Sequence, residues 1–409
     1  MKIGIISLYA DIHDPEHIIQ STNTVLVPLQ QVFTMKEISI SEIHQVDFPI
    51  VFIRTGGTEH RFKEIFPRLI NSGKPITLLS THTHNSLPAS LEILYWLFKN
   101  GIKNTLFLHG PIESLVEKIN MRARHIEIAE ALTKMTVGVI GKPSDWLIAS
   151  DIDYDKVQRR WGLSFTPVPL EEVSANFDMF SEAVVNETLS QFPLPGYSDG
   201  PGDREVAAAV RIYLALKKIA SDYQLSALTL RCFDLLKPLN TTGCLALARL
   251  NDEGFPSGCE GDIPALFTMI MNGLLTGSPA FMANPSQIGA DGIIFAHCTV
   301  PTRMVPGFGY KTHFESGIGI GISGRFPEGA VTISKINGEG LDYYYAAAGE
   351  TTPLEDSPHL CRTQVKIIIP TGYDYFFNSP LGNHHILSLG NHTKPFVELM
   401  NYFSAVKLE

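Results

Sequence analysis

KIGIISL at residues 2–8, FPIVFIR at 48–54, PITLLS at 75–80 and TLFL at 105–108 are four short, unbroken apolar runs, and they decide the fold. A strand with one wet face alternates apolar and polar residues, whereas an unbroken run implies a strand covered on both faces. Between the last two runs lies NSLPASLEILYWLFKN (85–100), which reads as a helix. Asn85 or Ser86 can cap it, Pro88 fits its first turn and Gly101 ends it. Leu87, Leu91, Leu94, Leu97 and Phe98 recur at helical spacing and form its expected buried face. Strand–helix–strand alternation of this kind implies a mainly parallel sheet with helices on both sides.

Working outward, a second unit opens at MTVGVIG (135–141), after a helical stretch at 113–133. Further strands are expected at 165–169 and 227–232, a helix at 203–222, and a loop at 191–203 (QFPLPGYSDGPGD). The last third changes character. Residues 314–325, 329–337, 341–347 and 365–370 are β-rich and separated by Gly-containing turns, which predicts an antiparallel sheet or small barrel closed by a helix at 394–403. The fold class expected is therefore α/β: two doubly wound α/β domains, 1–133 and 134–285, followed by a mostly antiparallel β C-terminal domain at 286–409.

The composition narrows the function. Of 409 residues, 32 are Lys or Arg and 42 are Asp or Glu, a net charge of −10 that offers no basic face to nucleic acid. The apolar share of 44% and charged share of 18% are globular values and exclude a disordered chain. Five cysteines between positions 232 and 361 show no CxxC pair and no zinc spacing. MKIGIISLYADIHDPEH turns acidic too early for a secretory signal, so a reduced, cytoplasmic location is expected. Residues 263–290 carry no Asp, Glu, Lys or Arg, yet Pro, Gly and Asn interrupt them and no basic flank orients them. A helix buried on all sides, a turn at 276–279 and a core strand are expected there, with no membrane span. No GxGxxG follows either first strand and no GxxxxGK[ST] occurs, so the usual nucleotide signatures are missing.

Three clusters set polar groups in apolar or Gly/Pro-rich sequence. In GCEGD (258–262), Asp262 suits a helix N-cap, with Pro264 in the first turn, whereas Glu260 has no such structural role. The helix dipole favours an ionised Glu260, as a metal ligand or base requires. In FMAN (281–284) and FAHCTVP (295–301), Asn284 and His297 fall at strand ends, where open α/β sheets bind ligands. A turn Asn and a hydrogen-bonded core His are the plain alternatives. Cys298 beside His297 is discounted as a nucleophile, because strand neighbours point to opposite faces. In GNHHIL (382–387), one of His384 and His385 can face a site as a metal or proton-transfer group. His82 and His84 share a face ahead of a helix N-terminus, and Arg54 ends a strand before Gly56-Gly57. All three are candidate substrate contacts.

Together, the CEGD loop, the apolar helix, the FMAN strand end, the HCTVP segment and the NHH loop resemble the L-fucose/L-arabinose isomerase family. The resemblance is sharpest at 230–301 and 383–390. It implies two α/β domains and a β-rich C-terminal domain, a trimer or hexamer, Mn²⁺ held by a Glu, an acidic residue and a His, and aldose–ketose isomerisation of a small sugar. Carried over by residue, Glu260 is catalytic base and metal ligand, and His385 is the histidine ligand with His384 as the alternative. Asn284 stands where the second carboxylate belongs, and an amide offers a carbonyl oxygen but neither charge nor a proton acceptor. Asp262 or His297 then takes the other proton role, and His297, His384, His82, His84 and Arg54 contact substrate. Weaker or absent metal, a family member that binds sugar without turnover, and a metal-dependent lyase or aldolase remain open beside the isomerase reading.

Overall fold

The computed structural model describes residues 1–409 and divides the chain into two compact units, Met1–Glu130 and Ala131–Glu409. In the first, β1 (Ile3–Leu8), β2 (Met35–Glu37), β3 (Phe48–Ile53), β4 (Thr77–Ser80) and β5 (Leu106–Leu108) form one sheet in the order β2-β1-β3-β4-β5. Every pairing is parallel. All six residues of β3 are buried, as an unbroken apolar run requires.

The helix Ser86–Lys99 corrects one expectation. It buries Ser86, Ala89, Ser90, Ile93 and Leu97, while Leu91 and Phe98 are 52% and 60% exposed. Small residues let this helix seat closely, so its core face is the one poorer in large side chains.

In the second unit, β6 (Thr136–Ile140) and β7 (Ser164–Val168) precede β8 (Ser198–Asp199), a short strand inside the expected loop. With β9 (Ala227–Leu230) and β10 (Ser257–Cys259), β6 and β7 build a parallel sheet ordered β10-β9-β6-β7. The helix Ile263–Thr276 then runs with Ile263 to Asn272 all buried, capped by Asp262 and ended by Gly277 at φ +71. Its polar groups are matched to the strands beyond it: Ile336 N donates to Thr268 Oγ1 at 2.9 Å, and Ser388 Oγ donates to Asn272 Oδ1 at 2.8 Å. The charge-free stretch is thus a core helix, a turn and a strand. No helix is long and apolar enough to cross a membrane.

Beyond it come β11 (Phe281–Gly289), β12 (Gly292–His297), β13 (Phe308–Lys311), β14 (Gly321–Gly324), β15 (Gly329–Asn337), β16 (Tyr343–Thr352), β17 (Thr363–Ile368), β18 (His385–Leu389) and β19 (Val406–Lys407). The order β15-β18-β11-β12-β17-β16 closes on itself through β15–β16, so six antiparallel strands make a barrel that leaves no open edge. β13 pairs with β14 on one side and β8 on the other in a small separate sheet. The chain is therefore mixed α/β, with parallel sheets first and an antiparallel barrel last. Residues 285 and 286, where a domain boundary was expected, lie inside β11, a barrel strand.

Candidate metal centre and active site

Glu260 leaves the end of β10 in a left-handed conformation, φ +62, and Gly261 follows at φ +75. Gly261 is required here. A Cβ on it would meet Lys142 O at 2.6 Å and Pro143 Cα at 2.7 Å, both backbone atoms that cannot swing away. Two successive left-handed residues turn the chain sharply, and the Glu260 carbonyl accepts from Ser144 N at 2.9 Å. Strain of this kind at a non-glycine residue is characteristic of functional positions. The carboxylate it aims is 8% exposed and accepts a 2.7 Å hydrogen bond at Oε2 from Trp146 Nε1.

The other oxygen faces two imidazoles. Glu260 Oε1 is 3.6 Å from His384 Nε2 and 3.8 Å from His297 Nε2. Ligand atoms of Glu260, His297 and His384 all lie within 4.8 Å of one another. Glu260 and His297 line a cleft of about 340 Å³ together with Asn284, Trp146, Phe233, His313, Glu315 and Asn383, and His384 lies buried directly behind Glu260. Two buried atoms here have no hydrogen-bond partner: Asn284 Oδ1 and His384 Nε2. Leaving a buried acceptor such as Asn284 Oδ1 unsatisfied costs about 1–3 kcal/mol, and a cation beside the Glu260 carboxylate would satisfy it. Carboxylate and amide oxygens with imidazole nitrogen are a donor set suited to Mn²⁺ or a similar divalent ion.

Behind the imidazole stands a buried charge chain. His384 Nδ1 donates to Asp262 Oδ2 at 2.9 Å, and Lys335 Nζ lies 3.6 Å from the same oxygen, with Lys335, Asp262 and His384 all essentially unexposed. Burial would raise the Asp262 carboxyl, but the Lys335 charge and the His384 hydrogen bond win and hold it at about 2. Burial likewise opposes a charged His384, and the Glu260 and Asp262 carboxylates override it, lifting it to about 9. Burial pushes Glu260 up and the two imidazoles pull it further down, so it stays ionised well below the usual carboxylate range. A carboxylate bonded to Nδ1 fixes the ring and reserves Nε2 for the site.

The geometry corrects several expectations. His385, expected as ligand, faces away: its Nδ1 donates to the Asn383 carbonyl at 3.0 Å and its Nε2 accepts from the Tyr375 hydroxyl at 3.0 Å. Burial first, then the Lys335 charge, pushes it down to about 3, so it is a neutral core histidine. His384, not His385, is the imidazole that faces Glu260, its Nε2 3.6 Å from Oε1. Asp262 is not at the cleft surface; it caps Ile263–Thr276, accepting from Ala265 N at 2.9 Å, and orients His384, which removes it from direct proton transfer. His297 does reach the cluster, its Nδ1 3.0 Å from Thr299 Oγ1. Cys298 also lines the cleft, because β12 ends at His297 and strict alternation ends with it.

The remaining candidates belong to the first unit. Arg54 is fully buried, with bonds to Ser7 Oγ at 2.9 Å, Thr22 Oγ1 at 2.6 Å, Asn23 Oδ1 at 3.3 Å and Glu37 Oε1 at 2.5 Å; it is engaged in a structural ion pair within the first unit. His84 Nε2 pairs with Ser21 Oγ at 2.8 Å, and the His82 ring lies 4.4 Å from that of His109.

Trp146, Phe233, His313, Glu315 and Asn383 were not singled out from sequence. Trp146 had a usable signal: it follows the strand at 136–140, and loops after parallel strands are where ligands bind. Glu315 sits in a stretch expected to be strand, His313 directly precedes it, and neither gave a signal.

No protein-family model matches the chain. A curated protein described as sulfoquinovose isomerase, from Clostridium sp. (strain MSTE9), is 23% identical over 192 residues. That match covers 46% of this chain and 42% of the relative, less than half of either. The likeness is to a sugar isomerase, and it is of the same kind as the resemblance carried by the CEGD, FMAN and NHH motifs.

Proposed function

We propose that the chain is a metal-dependent sugar isomerase that moves a proton between adjacent carbons of a small sugar, interconverting aldose and ketose. One observation carries this reading: Glu260, His297 and His384 converge within ligand distance beside the orphaned Asn284 Oδ1, in a cleft large enough for a monosaccharide. Glu260, Asn284 and His384, with His297 beside them, would hold the ion, with Mn²⁺ our first candidate. When bound, a divalent cation supplies positive charge to two neighbouring substrate oxygens and so acidifies the carbon–hydrogen bond between them.

The protein's own groups do the rest. Glu260 is ionised and fixed by Trp146, ready to accept the carbon-bound proton. His313 is kept neutral at about 4 by burial, and with Glu315 it is placed in the cleft wall to serve the second proton transfer that Asp262 cannot reach. Trp146 and Phe233, edge to face at 5.0 Å, give an apolar wall for the carbon–hydrogen face of a sugar ring.

The test is exchange in deuterated water with added Mn²⁺. A turned-over sugar gains deuterium beside its carbonyl, and Glu260→Gln lowers that rate about 10²–10⁴-fold, the usual weight of a positioned acid–base group. No exchange across pentoses, hexoses and 6-deoxyhexoses contradicts the proposal. The neutral Asn284 favours one other reading, a sugar-binding protein without turnover. Ligand-dependent stabilisation with no exchange selects it.

A further inference from the structure

All five cysteines of the chain gather at this one cleft, although they span positions 232 to 361 in sequence. Cys244, Cys259, Cys298 and Cys361 line it, and the Sγ of Cys232 lies 3.0 Å from that of Cys259. The pair follows from the sheet. β9 and β10 are parallel neighbours with Leu230 opposite Cys259, so the residue two beyond Leu230 comes alongside the end of β10. Both thiols are free, and the two sulfurs need close by only about 1 Å to reach a bond of about 2.05 Å.

We propose that Cys232 and Cys259 form an oxidisable dithiol site whose reactant is a small peroxide entering through the cleft. Cys259, the member that lines the cleft, reacts first. Its sulfur attacks one peroxide oxygen, the O–O bond breaks, and a sulfenic acid and one water result. The Cys232 sulfur then attacks the sulfenic sulfur; the S–O bond breaks, the S–S bond forms and a second water leaves. Two electrons pass from the thiols to the peroxide, and both thiol protons end in water. Burial of both sulfurs makes the reaction slow and selects an oxidant small enough to enter.

The position of the pair gives the bond a consequence. Cys259 directly precedes Glu260, and Cys232 directly precedes Phe233, so each sulfur pulls on a residue of the cleft wall. Gly261 is wedged against Lys142 and Pro143, so the loop gives way at Glu260. A misplacement of about 1 Å at a reacting group can cost about a hundredfold. The effect on cation binding and turnover rests on the function proposed above, whereas the bond itself does not.

The experiment treats the full chain with hydrogen peroxide, blocks remaining thiols with iodoacetamide and maps the cysteines by peptide mass spectrometry. A 232–259 linked peptide that dithiothreitol removes is the expected result. In Cys232→Ser the link is absent and Cys259 becomes trappable by dimedone. Recovery of both residues as alkylated thiols, or a link confined to Cys298 and Cys361, overturns the proposal. A calorimetric Mn²⁺ titration of the linked form separates the consequences. Affinity at least tenfold below that of the reduced protein is expected, and equal affinity overturns the claim that the bond displaces Glu260. Should the reduced protein bind no Mn²⁺, the metal reading fails while the mapped link stands.

Discussion

Replacing Lys335 by methionine removes one end of the buried chain that positions His384. Lys335 and Asp262 lie 3.6 Å apart with side chains 1% and 0% exposed. At an effective dielectric of about 20, charges at that separation attract by about 5 kcal/mol, most of it offset by the cost of taking both from water. Removing one partner leaves the other buried, for which about 3–5 kcal/mol is usual. Lys335→Met should fall at the low end, about 3 kcal/mol, because Asp262 keeps its bonds to Ala265 N and His384. Asp262→Asn strands Lys335, whose ammonium burial already disfavours, and should cost as much. The double variant removes both charges, and asparagine still caps the helix, so it should lie within about 1–2 kcal/mol of the parent. Urea unfolding measures this, followed by Trp146 and Trp161 in a Trp96→Phe background so that only the second unit reports. With an m-value of about 3 kcal/mol/M, each single variant shifts the midpoint by about 1 M. Additive losses in the double variant would mean that the two charges do not act as a pair, and the account of how His384 is held would be wrong.

Three further outcomes follow from the same site. Asn284→Asp adds a charged oxygen where an unpartnered amide oxygen now sits, and Mn²⁺ affinity measured by calorimetry should rise at least about tenfold. Gly261→Ala places a Cβ against Lys142 and Pro143 at φ +75, and should destabilise the second unit by about 2–4 kcal/mol while lowering Mn²⁺ affinity, both read on one preparation. Without added metal, His384, raised from 6.5 to about 9, contributes stability that is full below pH 6.5 and lost as pH rises through 9. Asp262, lowered from 3.8 to about 2, contributes stability present above pH 3.8 and lost as pH falls toward 2. The urea midpoint should therefore be highest near pH 5–6; a flat profile from pH 6 to 9 contradicts a charged His384.

How far the site could be read from sequence depended on phase. The unbroken runs at 2–8 and 48–54 could only be strands covered on both sides, and they are. The charge-free stretch after Asp262 could only be a core helix once its prolines and glycines were weighed. Glu260 stood out because nothing structural explained it. The preference for His385 over His384 had no physical basis, because choosing between them means knowing which side chains at the start of β18 point inward. Ile386 and Leu387 are both buried, so no alternation reveals it. Only the pairing of His385 with Ala283 sets that phase and sends its ring toward Tyr375. Arg54 misled for a related reason: its partner Glu37 is on β2, two strands away across β1, visible only once the sheet order is known. Nor does barrel closure show in the β-rich runs, since it depends on which strand pairs with β15.

The central claim is that one divalent cation sits among Glu260, Asn284, His297 and His384. Crystals of the full-length chain, soaked in Mn²⁺ and measured at the manganese absorption edge, test it directly. The account predicts a single anomalous peak within bonding distance of Glu260 Oε1, Asn284 Oδ1 and His384 Nε2. A peak at His385 or elsewhere, or none at saturating Mn²⁺, contradicts it.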